Sequence, residues 1–295
     1  MTVLDGGMGR ELLRIGAPFR QPEWSALALL EGPDWVVRAH ANFIDAGAQV
    51  VTTNSYAVVP FHLGEDRFAS RGRELAELSG RLARRAVDES SAVGVRVAAS
   101  LPPLFGSYRP DLFDPIDAPR IIDPLVAGLA PYVDVWLGET LGCVAEARTV
   151  RDAIDRAGAG DRPLWISYTL DDHHPGTLRS GESIVDAVAT AVDLGAVAVM
   201  FNCCQAETIT PAIRTARDRV GDGIDIGGYA NRFLSSHTAG GEANAQLATF
   251  RDDLDPASYN EFVVAWLDAG ATIVGGCCGM EPEHIACLVR TVADR

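Results

Sequence analysis

The chain has 295 residues, 47% of them hydrophobic and 22% charged, which is enough to bury one large α/β core. Its formal net charge of −15, from 40 acidic against 25 basic side chains with no basic cluster, argues against a nucleic-acid or anionic-membrane partner. The N-terminus shows no basic-then-apolar leader and no run approaches a membrane span, so a cytoplasmic location is expected.

Along the chain, short apolar runs alternate with longer stretches of helical periodicity. A first strand is expected at Val3-Leu4, ending on Asp5-Gly6-Gly7. Apolar residues then recur at three- and four-residue steps from Trp35 to Ile44, which predicts a helix, and a second strand runs from Gln49 to Thr53 into Asn54-Ser55-Tyr56. A second helical pattern from Glu74 to Val87 precedes a strand from Val95 to Ala99 with Ser100 at its end. The fourth strand, Val133 to Leu137, leads to Glu139-Thr140, and the fifth, Leu164 to Tyr168, leads to Thr169. Ala196 to Phe201 ends on Asn202-Cys203-Cys204, and Ile224 to Gly228 ends on Tyr229-Ala230-Asn231. A long, polar, weakly periodic segment from Phe233 to Pro256 reads as a surface excursion. The last strand, Ala271 to Val274, opens into Gly275-Gly276-Cys277-Cys278-Gly279.

Phrases such as Asp45-Ala46-Gly47-Ala48, Asp193-Leu194-Gly195-Ala196 and Asp268-Ala269-Gly270-Ala271 place a glycine where a helix must stop before a strand. Such alternation predicts a parallel sheet, and eight β/α units in this length predict an α/β fold, a single (β/α)8 TIM-type barrel over residues 1–295. In that architecture the strand ends just named share one rim, where active sites gather. A doubly wound open sheet is the alternative, but Gly6-Gly7-Met8-Gly9 is only a loose echo of its glycine fingerprint.

Two adjacent cysteine pairs on that rim point to a metal. Neighbouring side chains of an extended strand face opposite ways, so Cys277 and Cys278 can reach one ion only where the backbone turns sharply, as flanking glycines permit. Cys203-Cys204 would supply a third sulfur, leaving a tetrahedral zinc one ligand short, as in sites that bind substrate at the metal. The plainer reading, buried cysteine, suits Cys143 and Cys287 better than two pairs at strand ends. Six cysteines in 295 residues fit a disulfide framework poorly. Asp171-Asp172-His173-His174 carries metal-binding residue types, but Pro175-Gly176 after it favours a solvated turn.

Taken together, Asp5-Gly6-Gly7-Met8-Gly9-Arg10-Glu11-Leu12, Ala46-Gly47-Ala48-Gln49, Thr53-Asn54-Ser55-Tyr56, Gly138-Glu139-Thr140, Asn202-Cys203 and Gly275-Gly276-Cys277-Cys278 resemble the homocysteine S-methyltransferase family, nearly end to end. The resemblance implies a zinc-dependent barrel in which Cys203, Cys277 and Cys278 bind Zn2+ and the homocysteine sulfur takes the fourth position. It implies small-molecule substrates, with homocysteine methylated to methionine. Glu139 is the expected partner of the substrate ammonium, and main-chain N–H groups around Gly6-Gly7-Met8 are the expected nest for its carboxylate. Asp5 either orients that loop, contacts substrate or caps a helix. Ser100 and Asn202 are weaker substrate contacts, because both also suit backbone bonding at strand ends. Tyr56 and Trp24 are candidate aromatic walls for a cationic methyl donor. Asn54-Ser55 stands where the betaine-specific branch carries more aromatic residues, and that branch has a longer C-terminal extension, which favours a sulfonium donor, S-methylmethionine or S-adenosylmethionine, over betaine. Cys204 either replaces Cys203 as a ligand or packs behind it. The rival readings are a corrinoid partner protein as donor, selenohomocysteine or another small thiol as acceptor, and a noncatalytic zinc or redox sensor.

Overall fold

The structure is a computed structural model that describes residues 1–234 and 249–295. Its elements, in order, are β1 (Thr2–Val3), α1 (Met8–Arg14), α2 (Ala26–Glu31), α3 (Pro33–Asp45), β2 (Val50–Thr52), α4 (Pro60–Leu63), α5 (Glu65–Glu89) and β3 (Arg96–Leu101). A short 3-10 turn (Pro110–Leu112) precedes α6 (Ala118–Leu129), β4 (Val135–Leu141), α7 (Val144–Arg156) and β5 (Leu164–Tyr168). Then come α8 (Ile184–Asp193), β6 (Ala198–Asn202), α9 (Ala206–Val220), β7 (Asp225–Tyr229), α10 (Pro256–Asp268), β8 (Ile273–Val274) and α11 (Pro282–Ala293).

The strands form one parallel eight-stranded sheet in the order β1-β8-β7-β6-β5-β4-β3-β2. A parallel bridge between Leu4 and Val50 joins its two ends, reinforced by Gln49 N–H to the Val3 carbonyl (2.8 Å) and Asp5 N–H to the Val50 carbonyl (3.0 Å). This is the (β/α)8 barrel expected from the alternation of elements. Leu4, Val50, Ala98, Leu137, Trp165, Met200 and Ile273 fill its interior, while the opposite strand faces pack against the helices in a second, larger apolar layer. The alternation of side chains along each strand assigns them to these two layers.

The helix ends follow local chemistry. Gly47, Gly195 and Gly270 have φ of 97°, 76° and 103°, the left-handed conformation expected at the three Asp-x-Gly-Ala stops. Ser183 caps α8 by accepting from Asp186 N–H, and Asp255 caps α10 by accepting from Ala257 and Ser258 N–H.

Strands β3 and β4 run further than their apolar runs, to Leu101 and Leu141, so Ser100, Glu139 and Thr140 lie within the sheet instead of after it. Pairing of β4 with β5 shifts register between Gly138 and Leu141, a bulge that the polar sequence Gly138-Glu139-Thr140 disguises as a loop. Residues 235–248, most of the expected excursion, lie outside the described residues. Its flanks meet in an antiparallel bridge between Phe233 and Phe250, whose rings stack at 6.0 Å.

Candidate active site

Each cysteine on the rim is aimed by a specific backbone feature. After β6 the chain turns at Cys203, whose φ of 52° is left-handed, so consecutive cysteines part company. Cys203 faces the cleft, and Cys204 is fully buried in the outer apolar layer. Burial pushes the Cys204 thiol up to about 12, which suits an inert core thiol. Cys204 therefore packs behind Cys203, away from the cleft.

After β8, Met280 N–H donates to the Cys277 carbonyl (3.0 Å), closing a β-turn with Cys278 and Gly279 at its centre. The positive φ that turn needs, 88°, is at Gly279. Gly275 and Gly276 are small for a different reason than turn geometry. A Cβ on Gly275 would lie 2.6 Å from Leu4 Cβ, and one on Gly276 would collide with Met280.

The sulfurs of Cys203, Cys277 and Cys278 lie within 4.8 Å of one another, and those of Cys203 and Cys278 are 3.9 Å apart. Three thiolates at zinc–sulfur distance in a tetrahedron stand about 3.8 Å apart, so the donor set fits that ion in both chemistry and spacing. Hydrogen bonds from the Cys277 and Cys278 thiols hold Cys203 well below the usual thiol range, and the same bonds push those two thiols up. No other group of three or more metal-ligating side chains comes together among the described residues. The Asp171-Asp172-His173-His174 segment is a turn, with Asp171 accepting from His173 and His174 N–H.

The three cysteines line a cleft together with Asp5, Gly6, Gly7, Trp24, Tyr56, Ser100 and Glu139. Ser100 Oγ donates to Glu139 Oε2 (2.7 Å), and burial pushes the Glu139 carboxyl up to about 7 against that bond. Beside Glu139, the buried Tyr229 hydroxyl also lines the cleft and makes no well-formed hydrogen bond. Asp5 accepts from Thr52 N–H (2.7 Å) and Thr52 Oγ1 (2.9 Å), and burial pushes it up to about 8. It thus ties the end of β1 to β2, and the N-cap of α1 is Gly7. Gly7 N–H already donates to the Met280 carbonyl (3.0 Å), which removes one donor from the expected anion nest. Its missing side chain has a packing cause, because a Cβ there would meet the Cys277 carbonyl at 2.8 Å and Gly279 N at 2.9 Å.

Asn202, expected to touch substrate, is fully buried and is not among the side chains lining the cleft. Its Oδ1 accepts from Thr140 N–H (3.0 Å) and Ser167 Oγ (2.7 Å), and its Nδ2 donates to Thr140 Oγ1 (2.8 Å). These bonds brace Thr140, held at φ 60° in the β4 bulge, and so keep Glu139 beside it in the cleft. Trp24, Tyr108, Thr140 and Cys203 are the non-glycine residues with positive φ among the described residues, and all four line this cleft. Such concentration of backbone strain is typical of a functional site.

Several further lining groups are given no role by the sequence. Tyr108, in the loop after β3, brings its hydroxyl to 2.8 Å from Cys203 Sγ, and its neighbour Ser107 bonds the Tyr56 hydroxyl (2.8 Å). Asn54 donates to the Ser25 carbonyl, which leaves its buried Oδ1 without a hydrogen bond at the cleft wall. Arg10, with its guanidinium 4.2 Å from the Phe250 ring centre, is the lysine or arginine that lines the cleft.

The homocysteine S-methyltransferase family model matches residues 2–292. The chain belongs to the homocysteine S-methyltransferase family. Relatives include homocysteine S-methyltransferase 1 of Zea mays, 27% identical over 322 residues that span 100% of this chain and 95% of that protein. The homocysteine S-methyltransferase of Escherichia coli K12 is 29% identical over 320 residues, spanning 98% and 94%. The crystal structure of the homocysteine methyltransferase MmuM from Escherichia coli, in its metallated form, superposes with a TM-score of 0.79 at 25% identity, covering 99% of this chain and 96% of that one. This homocysteine S-methyltransferase family member is therefore a methyltransferase, and methyl transfer to homocysteine is the reaction of its family. No helix among the described residues is long and apolar enough to cross a membrane.

Proposed function

We propose that residues 1–295 act as one homocysteine-binding barrel that carries zinc on Cys203, Cys277 and Cys278 and transfers methyl from a sulfonium amino acid to homocysteine. The observation that carries this reading is the three-sulfur cluster in the same cleft as the Glu139 carboxyl. Bound there, zinc would hold the homocysteine thiol as a thiolate near neutral pH, and so supply the nucleophile.

The remaining work belongs to side chains. Glu139 receives the substrate ammonium, with Ser100 fixing one carboxylate oxygen and the open Tyr229 hydroxyl completing the cradle. An ammonium beside Glu139 also restores its ionised form, which burial alone disfavours. The substrate carboxylate faces the main-chain N–H groups around Met8 and the Arg10 guanidinium, a positive counterpart in a cleft that otherwise carries Asp5, Glu139 and thiols. Holding both ends of the amino acid aims its sulfur, and such alignment is worth about 7–11 kcal/mol in favourable cases.

On the donor side Trp24 and Tyr56 line the cleft as aromatic walls for a cationic methyl group, at about 0.5–2 kcal/mol each. The unpartnered Asn54 Oδ1 accepts a hydrogen bond from a donor that carries N–H groups. S-methylmethionine and S-adenosylmethionine have an ammonium to give it, whereas betaine has no N–H at all, which favours the sulfonium donors.

The test is methionine formation from homocysteine with S-methylmethionine, S-adenosylmethionine or betaine supplied separately, with metal content measured on the same sample. One zinc per chain and turnover with a sulfonium donor is the expected result. Turnover with betaine alone would overturn the donor assignment, and absence of bound zinc would overturn the metal site.

A further inference from the structure

Cys277 and Cys278 are placed by their backbone, for the turn that carries them is hydrogen-bonded at both residues: Cys277 N–H to the Ala230 carbonyl (3.0 Å) and Arg232 N–H to the Cys278 carbonyl (2.8 Å). Cys203 also has a backbone bond, its N–H to the Tyr229 carbonyl (3.2 Å), but its setting differs. It comes from a different strand end, sits in a strained left-handed conformation, and must swing its sulfur toward the other two. What meets that sulfur is the Tyr108 hydroxyl at 2.8 Å, with Asn231 Nδ2 further off at 3.9 Å.

Tyr108 is itself held from behind. The Arg179 guanidinium carbon lies 5.2 Å from the centre of its ring, and Arg179 pairs with Asp172 at 2.9 Å. Both charged side chains are almost withdrawn from water, at 7% and 9% exposure, although they come from a polar loop after β5. Asp172 also accepts the Gln205 N–H (2.8 Å) where α9 begins, two residues beyond Cys203. Loops after β3, β5 and β6 are thus locked together around one tyrosine. A buried ion pair costs desolvation and does not by itself stabilise a fold, so its placement against this ring calls for a positional role.

We propose that Tyr108, clamped by the Arg179–Asp172 pair, is a positioning residue that sets Cys203 as a metal ligand. Its O–H donates to the Cys203 sulfur, fixing the side-chain rotamer and withdrawing part of the thiolate charge. Three thiolates over-neutralise a divalent ion, so a donor on one of them stabilises the cluster while leaving the incoming sulfur the most electron-rich of the four. Hydrogen-bond partners of metal ligands act in this way generally, and losing one costs about 10–100-fold in metal affinity.

This inference rests on the zinc reading above, and the experiment separates the two. Zinc affinity is measured by competition with a chromogenic chelator for the wild type, Tyr108→Phe, Asp172→Asn and the double variant, with circular dichroism and thermal melting of each metal-free protein. We expect Tyr108→Phe to bind zinc about 10–100-fold more weakly with its fold intact. Asp172→Asn should show a smaller loss, and the double variant should be no worse than Tyr108→Phe alone, because the pair acts through the tyrosine. Wild-type affinity in Tyr108→Phe, beside a wild type that holds zinc, would overturn this inference alone. Full additivity in the double variant would also overturn it, since Asp172 would then act through Gln205 and α9. A wild type that holds no zinc would overturn the metal reading and this inference with it. Should Tyr108→Phe fail to fold, Arg179→Met replaces it in the same cycle with Asp172→Asn, and wild-type zinc affinity there overturns the clamp.

Discussion

At the scale of single residues, the proposed division of labour is between groups that would hold metal and groups that would hold an amino acid. Cys278→Ala removes one of three sulfurs without touching the barrel core, so we expect loss of bound zinc and of turnover with an unchanged circular dichroism spectrum. Glu139→Gln keeps the side chain's shape and its bond from Ser100 but removes the charge proposed to face the substrate ammonium. A hydrogen bond to a charged group is worth about 1.5–3 kcal/mol, so kcat/KM for homocysteine should fall roughly 10–150-fold while zinc content is retained. Steady-state kinetics beside metal analysis checks both, and unaltered kinetics in Glu139→Gln would remove Glu139 from the substrate cradle.

At the scale of elements, the site depends on two local irregularities. The β4 bulge presents Glu139 and Thr140 to the same cleft although neighbours on a regular strand face opposite ways, and Asn202 from β6 satisfies the Thr140 backbone that the bulge exposes. Asn202→Ala leaves a buried N–H unpaired, so it should cost about 1–3 kcal/mol by urea unfolding and also weaken homocysteine binding through Glu139. The second irregularity is the close approach of the loop after β1 to the Cys277–Met280 turn. A methyl group at Gly7 meets backbone atoms of the Cys277–Gly279 turn, which cannot give way as a side chain would. Gly7→Ala should therefore lose zinc as well as stability, although residue 7 carries no ligand. Retained stoichiometric zinc would show that the turn accommodates the change.

At the scale of the whole molecule, buried histidines contribute to the response to acid. His40 and His62 are buried at 0% and 2% exposure, and burial lowers their pKa from 6.5 to about 3 and about 4. The unfolded chain takes up protons on them below pH 6.5 that the folded chain refuses, so their stabilisation is complete above that pH and is lost progressively as pH falls toward 3. Glu146 works in the opposite sense, because burial raises it from 4.5 to about 7, and its contribution is present below pH 4.5 and lost as pH rises through 7. His40 makes no hydrogen bond at either ring nitrogen, which singles it out for a test. His40→Leu should reduce the loss of unfolding free energy between pH 7 and pH 5 by about 2 kcal/mol. An acid limb identical to that of the wild type would show that His40 protonates freely in the fold.

The sequence alone determined the eight-stranded barrel, because periodicity 2 and periodicity 3.6 are local signals, and so are the glycines that stop helices at residues 47, 195 and 270. It also placed both cysteine pairs on one rim, since in a barrel every strand end faces the same side. The choice of Cys203 over Cys204 belonged to tertiary structure, for a single left-handed residue decides which of two neighbours faces the cleft. So did the tasks of Asn202 and Asp5, whose polar groups meet partners 62 and 47 residues away in sequence. Tyr108 and Arg179 carry no motif in sequence, and Asp172 stands in a segment that reads as a solvated turn, because three loops had to fold over the strand ends before these side chains could meet one another beside Cys203.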